Sequence, residues 1–217
     1  MKTALHVADA AALIPEGATL LVGGFMAVGS PLRLIDALLA RGTGGLTIVN
    51  NDTATPETGI GKLVAAGLVA RVITSHIGLN PITQKKMIAG EIEVELVPQG
   101  TLVERIRAGG AGLGGVLTPT GVGTLAAEGK PTIELDGRTW LIETPIRGDF
   151  ALLAASKADY IGNLEYSMTA HNFNPIMALA ADTVIAEPDH IMPIGVIPPD
   201  AVKTPGVLVD HLIERKL

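Results

Sequence analysis

Short apolar runs alternating with helix-period segments leave this chain few folds to adopt. Thr19-Leu20-Leu21-Val22, Leu46-Thr47-Ile48-Val49, Arg71-Val72-Ile73-Thr74 and Val94-Glu95-Leu96-Val97 each have the length and side chains of a strand. Between the first two, Pro31 to Leu39 sets Leu34, Ile35, Leu38 and Leu39 on one helical face. Gly59 to Ala66 and Ile82 to Ala89 fill the next gaps as weaker helix candidates. Strands separated by crossover helices pair in parallel and are covered on both faces. The expected class is therefore α/β, a mostly parallel sheet flanked by helices. No repeat and no Ser-rich or charged linker divides the sequence, so a single domain over 1–217 is expected.

The mean hydropathy of +0.41 is high. Gly, Pro or charge nonetheless breaks each apolar run well before the roughly 18 residues of a membrane-spanning helix. That apolar content belongs to a buried core, and disorder is excluded with it. There is no cysteine, which removes disulfides, thiolate nucleophiles and cysteine-based zinc sites. With no long apolar secretory segment near Met1, a cytoplasmic location is expected. The formal charge is −6, and no basic cluster is longer than Lys85-Lys86, so neither nucleic acid nor an anionic membrane is an expected partner.

The alternation breaks after about residue 108. Eight of the 25 residues from Gly100 to Thr124 are glycine (100, 109, 110, 112, 114, 115, 121 and 123). So dense a run predicts a loop, with left-handed backbone or chain packed close to something else. Thr132 to Leu135 and Arg138 to Ile142 then flank Asp136-Gly137, a strong signal for a β-hairpin embedded in the α/β domain. Phe150 to Ala154, a helical Pro175 to Ala181, and Thr183 to Ala186 resume the alternation.

The first strand leads into Gly23-Gly24-Phe25-Met26-Ala27-Val28-Gly29-Ser30-Pro31. Ser30 fits an N-cap and Pro31 the first helical residue. A glycine turn there places backbone N–H groups near a helix N-terminus, where a phosphate or carboxylate can be held. Gly24, Phe25, Met26, Ala27, Val28, Gly29 and Ser30 are therefore candidate ligand contacts. Neither familiar nucleotide fingerprint is met: Ser-Pro stands where a phosphate loop needs Lys-Ser/Thr, and G-x-G-x-x-G is missing. A tight crossover alone would also account for the glycines.

Other polar residues fall at strand ends, where open α/β sheets bind ligands. Gln99 follows one strand, and an amide there can donate to a developing oxyanion or cap the next helix. Asn50 and Asn51 follow another, where ligand contact competes with simple Asx turns. His76 and His171 have no second ligand at metal spacing and read as hydrogen-bonded structural residues; no metal site is expected. Glu57, Glu104, Glu128, Glu143 and Glu165 read as ordinary exposed charges, and Arg105 and Arg107 beside Glu104 as a solvated face.

Glu16 to Pro31 resembles the first signature of the family I coenzyme A transferases: an Asp or Asn, Gly or Asn, two free positions, three apolar residues, then G-G-F-x-x-x-G-x-P. The one departure is Glu16 at the first position. The resemblance continues through Pro98 to Leu102, Arg105 to Gly112, Thr118 to Thr124 and Asn172-Phe173-Asn174-Pro175, nearly the whole chain. Within the family it is most similar to α subunits acting on short-chain acids such as acetate and acetoacetate. That resemblance implies an enzyme with a coenzyme A thioester as substrate and no permanent cofactor. It implies ping-pong transfer through a glutamyl-CoA intermediate, with Gln99 at the oxyanion and the glycine turn against the thioester. The nucleophilic glutamate lies, in the family, in a Ser-Glu-Asn-Gly segment of a β subunit. Gly162-Asn163-Leu164-Glu165 does not match it, so the resemblance implies a β-subunit partner, an α2β2 assembly and no activity from this chain alone. Most anchors for the CoA nucleotide are then expected on the partner. A 3-oxoadipate transferase, a sugar-phosphate isomerase-like enzyme and a non-catalytic ligand-sensing module remain as alternatives.

Overall fold

The computed structural model describes residues 1–214. The chain opens with β1 (Ala4–Leu5), α1 (Val7–Ala12), β2 (Thr19–Val22) and α2 (Leu32–Arg41). It continues through β3 (Leu46–Val49), α3 (Gly61–Ala65), β4 (Val69–Thr74), α4 (Pro81–Ile88), β5 (Glu93–Leu96) and α5 (Gln99–Gly110). An excursion follows with β6 (Val116–Thr118), β7 (Thr132–Leu135) and β8 (Arg138–Glu143). The last part is β9 (Gly148–Asp159), β10 (Leu164–Glu165), α6 (Asn174–Leu179), β11 (Ala181–Met192) and β12 (His211–Ile213).

The main sheet runs β1-β12-β11-β9-β2-β3-β4-β5 and is parallel throughout, with β10 added antiparallel to β9. Period-two geometry sends alternate residues to opposite faces. Leu20 and Val22 pack with Leu34, Ile35 and Leu38 of α2. Leu21 packs on the other face with Leu102 and Ile106 of α5 and Met177 of α6. From β2 the chain steps outward through β3, β4 and β5, then returns to β9 and steps the other way. The strand order reverses between β2 and β9, and the glycine turn leaves β2 at that reversal.

The excursion is a separate antiparallel sheet, β6-β8-β7. Asp136 and Gly137 have φ of 51° and 70° between β7 and β8, the left-handed pair of a two-residue hairpin turn. The glycine-rich run is not all loop, as its density had suggested. Its first part is helix α5, and two of its glycines are there for close approach. A Cβ on Gly109 would lie 2.0 Å from the Ile146 carbonyl oxygen, and one on Gly110 2.6 Å from Leu179 Cβ. Further on, Gly112, Gly115, Gly121 and Gly123 do take positive φ.

Arg105 and Glu143 also depart from expectation, because both are buried. Arg105 donates from Nε to the Thr144 carbonyl (2.8 Å) and from a terminal nitrogen to Glu95 (2.6 Å), and lies 3.7 Å from Glu143. Lys130 reaches Glu143 from the excursion at 2.6 Å. Burial acts to raise the Glu95 carboxyl, but the hydrogen bond and charge of Arg105, with Arg71, outweigh it and hold the group below its ordinary value. These ions tie the root of the excursion to α5 and β5. Glu104 pairs with Arg107 on the exposed side, as a charged face would.

Candidate functional site

The glycine turn is a two-residue hairpin in miniature. Phe25 and Val28 exchange backbone hydrogen bonds at 3.0 and 2.9 Å. The residues between them, Met26 and Ala27, have φ of 49° and 66°. This geometry normally calls for Asn-Gly, so Met-Ala here carries backbone strain that neighbours must hold. They hold it densely. Met26 N–H donates to Asp52 Oδ2 (2.9 Å) and Gly24 N–H to Asn172 Oδ1 (3.1 Å). Asn172 Nδ2 donates to the Val28 carbonyl and Asn174 Nδ2 to that of Gly29, at 2.9 and 3.0 Å. The glycines keep the clamp close: a Cβ on Gly23 would meet Asn174 Oδ1 at 1.9 Å, and one on Gly29 the Ala170 carbonyl at 2.7 Å. From Gly23 to Ser30, the amides of Ala27 and Gly29 have no acceptor among the described residues.

The helix start differs from expectation. Ser30 does not cap α2; its hydroxyl donates to the Gly23 carbonyl at 2.8 Å. Glu187, arriving on β11, takes the Arg33 and Leu34 amides instead. Burial raises the Glu187 carboxyl above its ordinary value, and those two amides with the Arg33 charge offset only part of the rise. The anion slot foreseen at this helix N-terminus is thus filled by the protein's own carboxylate.

On one side of the turn lies a cleft of about 350 Å³, lined by Phe25, Met26, Asn51, Asp52, Ser75, His76, Leu79 and Gln99. Its floor is the carboxyl ends of β3, β4 and β5. Asn51 is buried (1% exposed) and accepts on Oδ1 from Gln99 Nε2 at 2.5 Å, while its Nδ2 donates to Asp52 Oδ2 at 2.7 Å. Asp52 also accepts the Ala54 amide on Oδ1 (2.8 Å). Ser75 Oγ donates to the Asn51 carbonyl (2.6 Å). Asn50 lies beneath, its amide donating to the Val22 carbonyl and accepting from the Asp52 amide. His76 is exposed on the cleft wall, and among the described residues its ring makes no hydrogen bond, unlike the structural role expected of it.

On the other side, Ala27, Gly29, Ser30, Ser156, Ser167 and Glu187 are among the residues lining a second cleft, of about 240 Å³. The structure therefore divides the predicted residues. Phe25, Met26, Asn51 and Gln99 share the first cleft, Ala27, Gly29 and Ser30 the second, and Gly24 and Asn50 are spent on support. Asp52, Ser75 and Leu79 were not singled out from the sequence, although Asp52 stands next to Asn51 at the same strand end. For Glu187, far along the chain, no local signal exists. Among the described residues no cluster of three or more His, Asp or Glu side chains is arranged to hold a metal, and no helix is long and apolar enough to cross a membrane.

Comparison with known proteins fits this architecture. The chain is 55% identical to the acetate CoA-transferase subunit alpha of Escherichia coli K12, over 98% of this chain and 97% of that one. It is 49% identical to the acetoacetyl-CoA:acetate/butyrate CoA transferase alpha subunit of Clostridium acetobutylicum, over 92% of each. An acyl-CoA transferase of E. coli O157:H7, solved as a thioester complex with CoA, superposes with a TM-score of 0.88 at 23% identity. That likeness concerns the fold, and this chain, 98% covered, spans about half (47%) of its length. The coenzyme A transferase family model matches residues 4–215, and with fold, turn and relatives in agreement, the chain belongs to the coenzyme A transferase family.

Proposed function

We propose that this chain is the α subunit, one domain over residues 1–217, of a cytoplasmic heteromeric enzyme. The enzyme moves CoA from an acyl-CoA such as acetyl-CoA to a short-chain acid or 3-oxo acid such as acetoacetate. The observation that carries the division of labour is the state of Asp52. It is the one carboxylate lining the first cleft among the described residues, and it already accepts from Met26, Ala54 and Asn51. No carboxylate is left there to attack a thioester. The nucleophile then comes from a β subunit, in an α2β2 assembly. Exposed Phe25, Val28, Leu79 and Met168 around the turn suit an edge that a partner covers.

In this reading the partner's glutamate attacks the thioester carbonyl and expels CoA thiolate, leaving an acyl-glutamyl anhydride. The thiolate attacks the glutamyl carbonyl, releasing the first acid and forming glutamyl-CoA. The incoming acid repeats the two steps in reverse, taking the CoA and freeing the glutamate. Each addition places negative charge on a carbonyl oxygen. Gln99 at the cleft and the open amides of Ala27 and Gly29 at the turn are the donors this chain offers to such oxygens. Phe25, Met26, Val28 and Asn51 shape the acyl end of the path, with Gly24, Ser30 and Asn50 holding it in place. CoA passes through as substrate, and the mechanism needs no resident cofactor.

The test is reconstitution. Transfer between acetyl-CoA and acetoacetate should require both chains, and borohydride trapping should mark a glutamate of the partner. Full activity from this chain alone, or a trapped glutamate on it, would refute the assignment. A panel of acetate, butyrate, acetoacetate and 3-oxoadipate then fixes the acid; preference for 3-oxoadipate would select the dicarboxylic alternative.

A further inference from the structure

The geometry points to Asp52 as a positioning residue that sets which way the Gln99 amide faces. The inference rests on the proposed role of Gln99 only for its kinetic consequence. An ionised carboxylate accepts hydrogen bonds and cannot donate them. Asp52 is buried (3% exposed), and each of its oxygens takes a backbone amide, Met26 on Oδ2 and Ala54 on Oδ1. The place of both oxygens is therefore fixed by the chain itself. Against Oδ2 stands the carboxamide of Asn51, which can turn only its nitrogen to that oxygen. A planar amide with its nitrogen committed on one side has its oxygen committed on the other. Asn51 Oδ1 consequently faces Gln99, and Gln99 must answer with Nε2. One Nε2 hydrogen is bound to Asn51; the second remains for the cleft. A carboxamide at position 52 would break the order. One backbone amide would then face an NH2 group, and both Asn51 and Gln99 could invert, presenting Gln99 Oε1 where a donor is needed. Asp52 thus couples the strained turn, through Met26, to the orientation of the amide across the cleft.

The chain contains only two glutamines, Gln84 and Gln99. Gln84 donates to the Ile77 and Gly78 carbonyls and to neither Asp52 nor Asn51, and serves as an internal reference. The experiment uses the assembled enzyme with [15N]glutamine in this chain. It follows the two side-chain amide signals in the native protein, Asp52→Asn and Asn51→Ala, alongside kcat and KM for the same variants and for Gln99→Ala. Asn51→Ala leaves both backbone bonds of Asp52 in place but removes the Gln99 partner itself, so it checks the Asn51–Gln99 step, while Asp52→Asn and the double variant check the step from Asp52. Expected is a Gln99 signal that moves in both variants while that of Gln84 stays. Gln99→Ala lowers kcat about 100-fold, and Asp52→Asn about tenfold or more with little change in KM. The double variant Asp52→Asn/Gln99→Ala falls no lower than Gln99→Ala alone, because Asp52 acts through Gln99. A Gln99 signal unmoved in Asn51→Ala, or losses that multiply in the double variant, would overturn the inference. If Gln99→Ala keeps full kcat, the proposed role of Gln99 fails instead, and the amide signals alone decide whether Asp52 orients it.

Discussion

Glu187 Oε2 accepts the Leu34 amide at 2.8 Å, so the first turn of α2 is capped by a carboxylate carried on β11. Oε1 takes the Arg33 amide at 3.1 Å, and the Arg33 guanidinium lies 3.4 Å away. A carboxylate at a helix N-terminus satisfies amides that nothing inside the helix can reach. The same contact joins the two halves of the sheet across the reversal between β2 and β9, beside the strained turn.

This contact has a definite pH signature. Burial raises the Glu187 carboxyl above its ordinary 4.5, so the folded protein binds that proton more tightly than the unfolded chain. The group's contribution to stability is therefore full below about 4.5 and is lost as pH rises through the raised value. In Glu187→Gln that slope should vanish, and one backbone donor should be left facing an amide nitrogen, at about 1–2 kcal/mol. Urea midpoints of both proteins from pH 4 to 7 check it; a native stability that climbs relative to the variant over this range contradicts the assignment.

The glycine clamp should be intolerant at Gly23 and tolerant at Gly100. A Cβ at Gly23 would overlap Asn174 Oδ1, while one at Gly100 meets nothing within 4 Å. Gly23→Ala is expected to cost about 3 kcal/mol or more and to detach the Asn174 bond to Gly29. Gly100→Ala, in the first turn of α5, should stabilise by about 0.5–1 kcal/mol. Thermal melts of the two variants decide; similar effects from both would remove close packing as the reason for Gly23.

Ala27→Gly tests the strain directly. Glycine adopts the left-handed backbone of Ala27 at no steric penalty, which returns about 1–3 kcal/mol, less about 0.5–1 for the freer unfolded chain. A rise in melting temperature is the expected result. A fall would mean that the turn is not strained at this residue.

Removing Arg105 should be among the costliest single changes, because it leaves buried Glu143 (2% exposed) with Lys130 alone, leaves Glu95 with Arg71, and frees the Thr144 carbonyl. Arg105→Met is expected to lose about 3–5 kcal/mol. Limited proteolysis should then cut first between residues 111 and 131, in the excursion those ions moor. Resistance equal to that of the native protein would show that the excursion is moored elsewhere.

Much of this architecture is legible residue by residue, and the failures share one physical origin. The four early strands and α2 follow from local period, because each needs only its own residues to show which face is buried. Asp136-Gly137 is likewise self-sufficient. Helix α5 was hidden because Gly109 and Gly110 answer to Ile146 and Leu179, neighbours only in space. Arg105 and Glu143 read as surface charges until the chain brings them together. Strand ends put Asn51 and Gln99 at the carboxyl edge of the sheet, and the structure has both lining one cleft there. Which atom bonds which, and that Glu187 rather than Ser30 caps α2, depends on contacts far apart in sequence.

The pairing of β1 bears on how the protein is made. Ala4 and Leu5 align with Leu212 and Ile213, and β12 sits between β1 and β11. During synthesis β1 therefore emerges long before β12, the strand it pairs with. Until then the growing chain shows an open edge along β11, a surface on which nascent chains stick to one another. Delay or pausing late in translation should accordingly harm yield more than the same pause near the middle, for this sheet is finished only when its last rung slides into place.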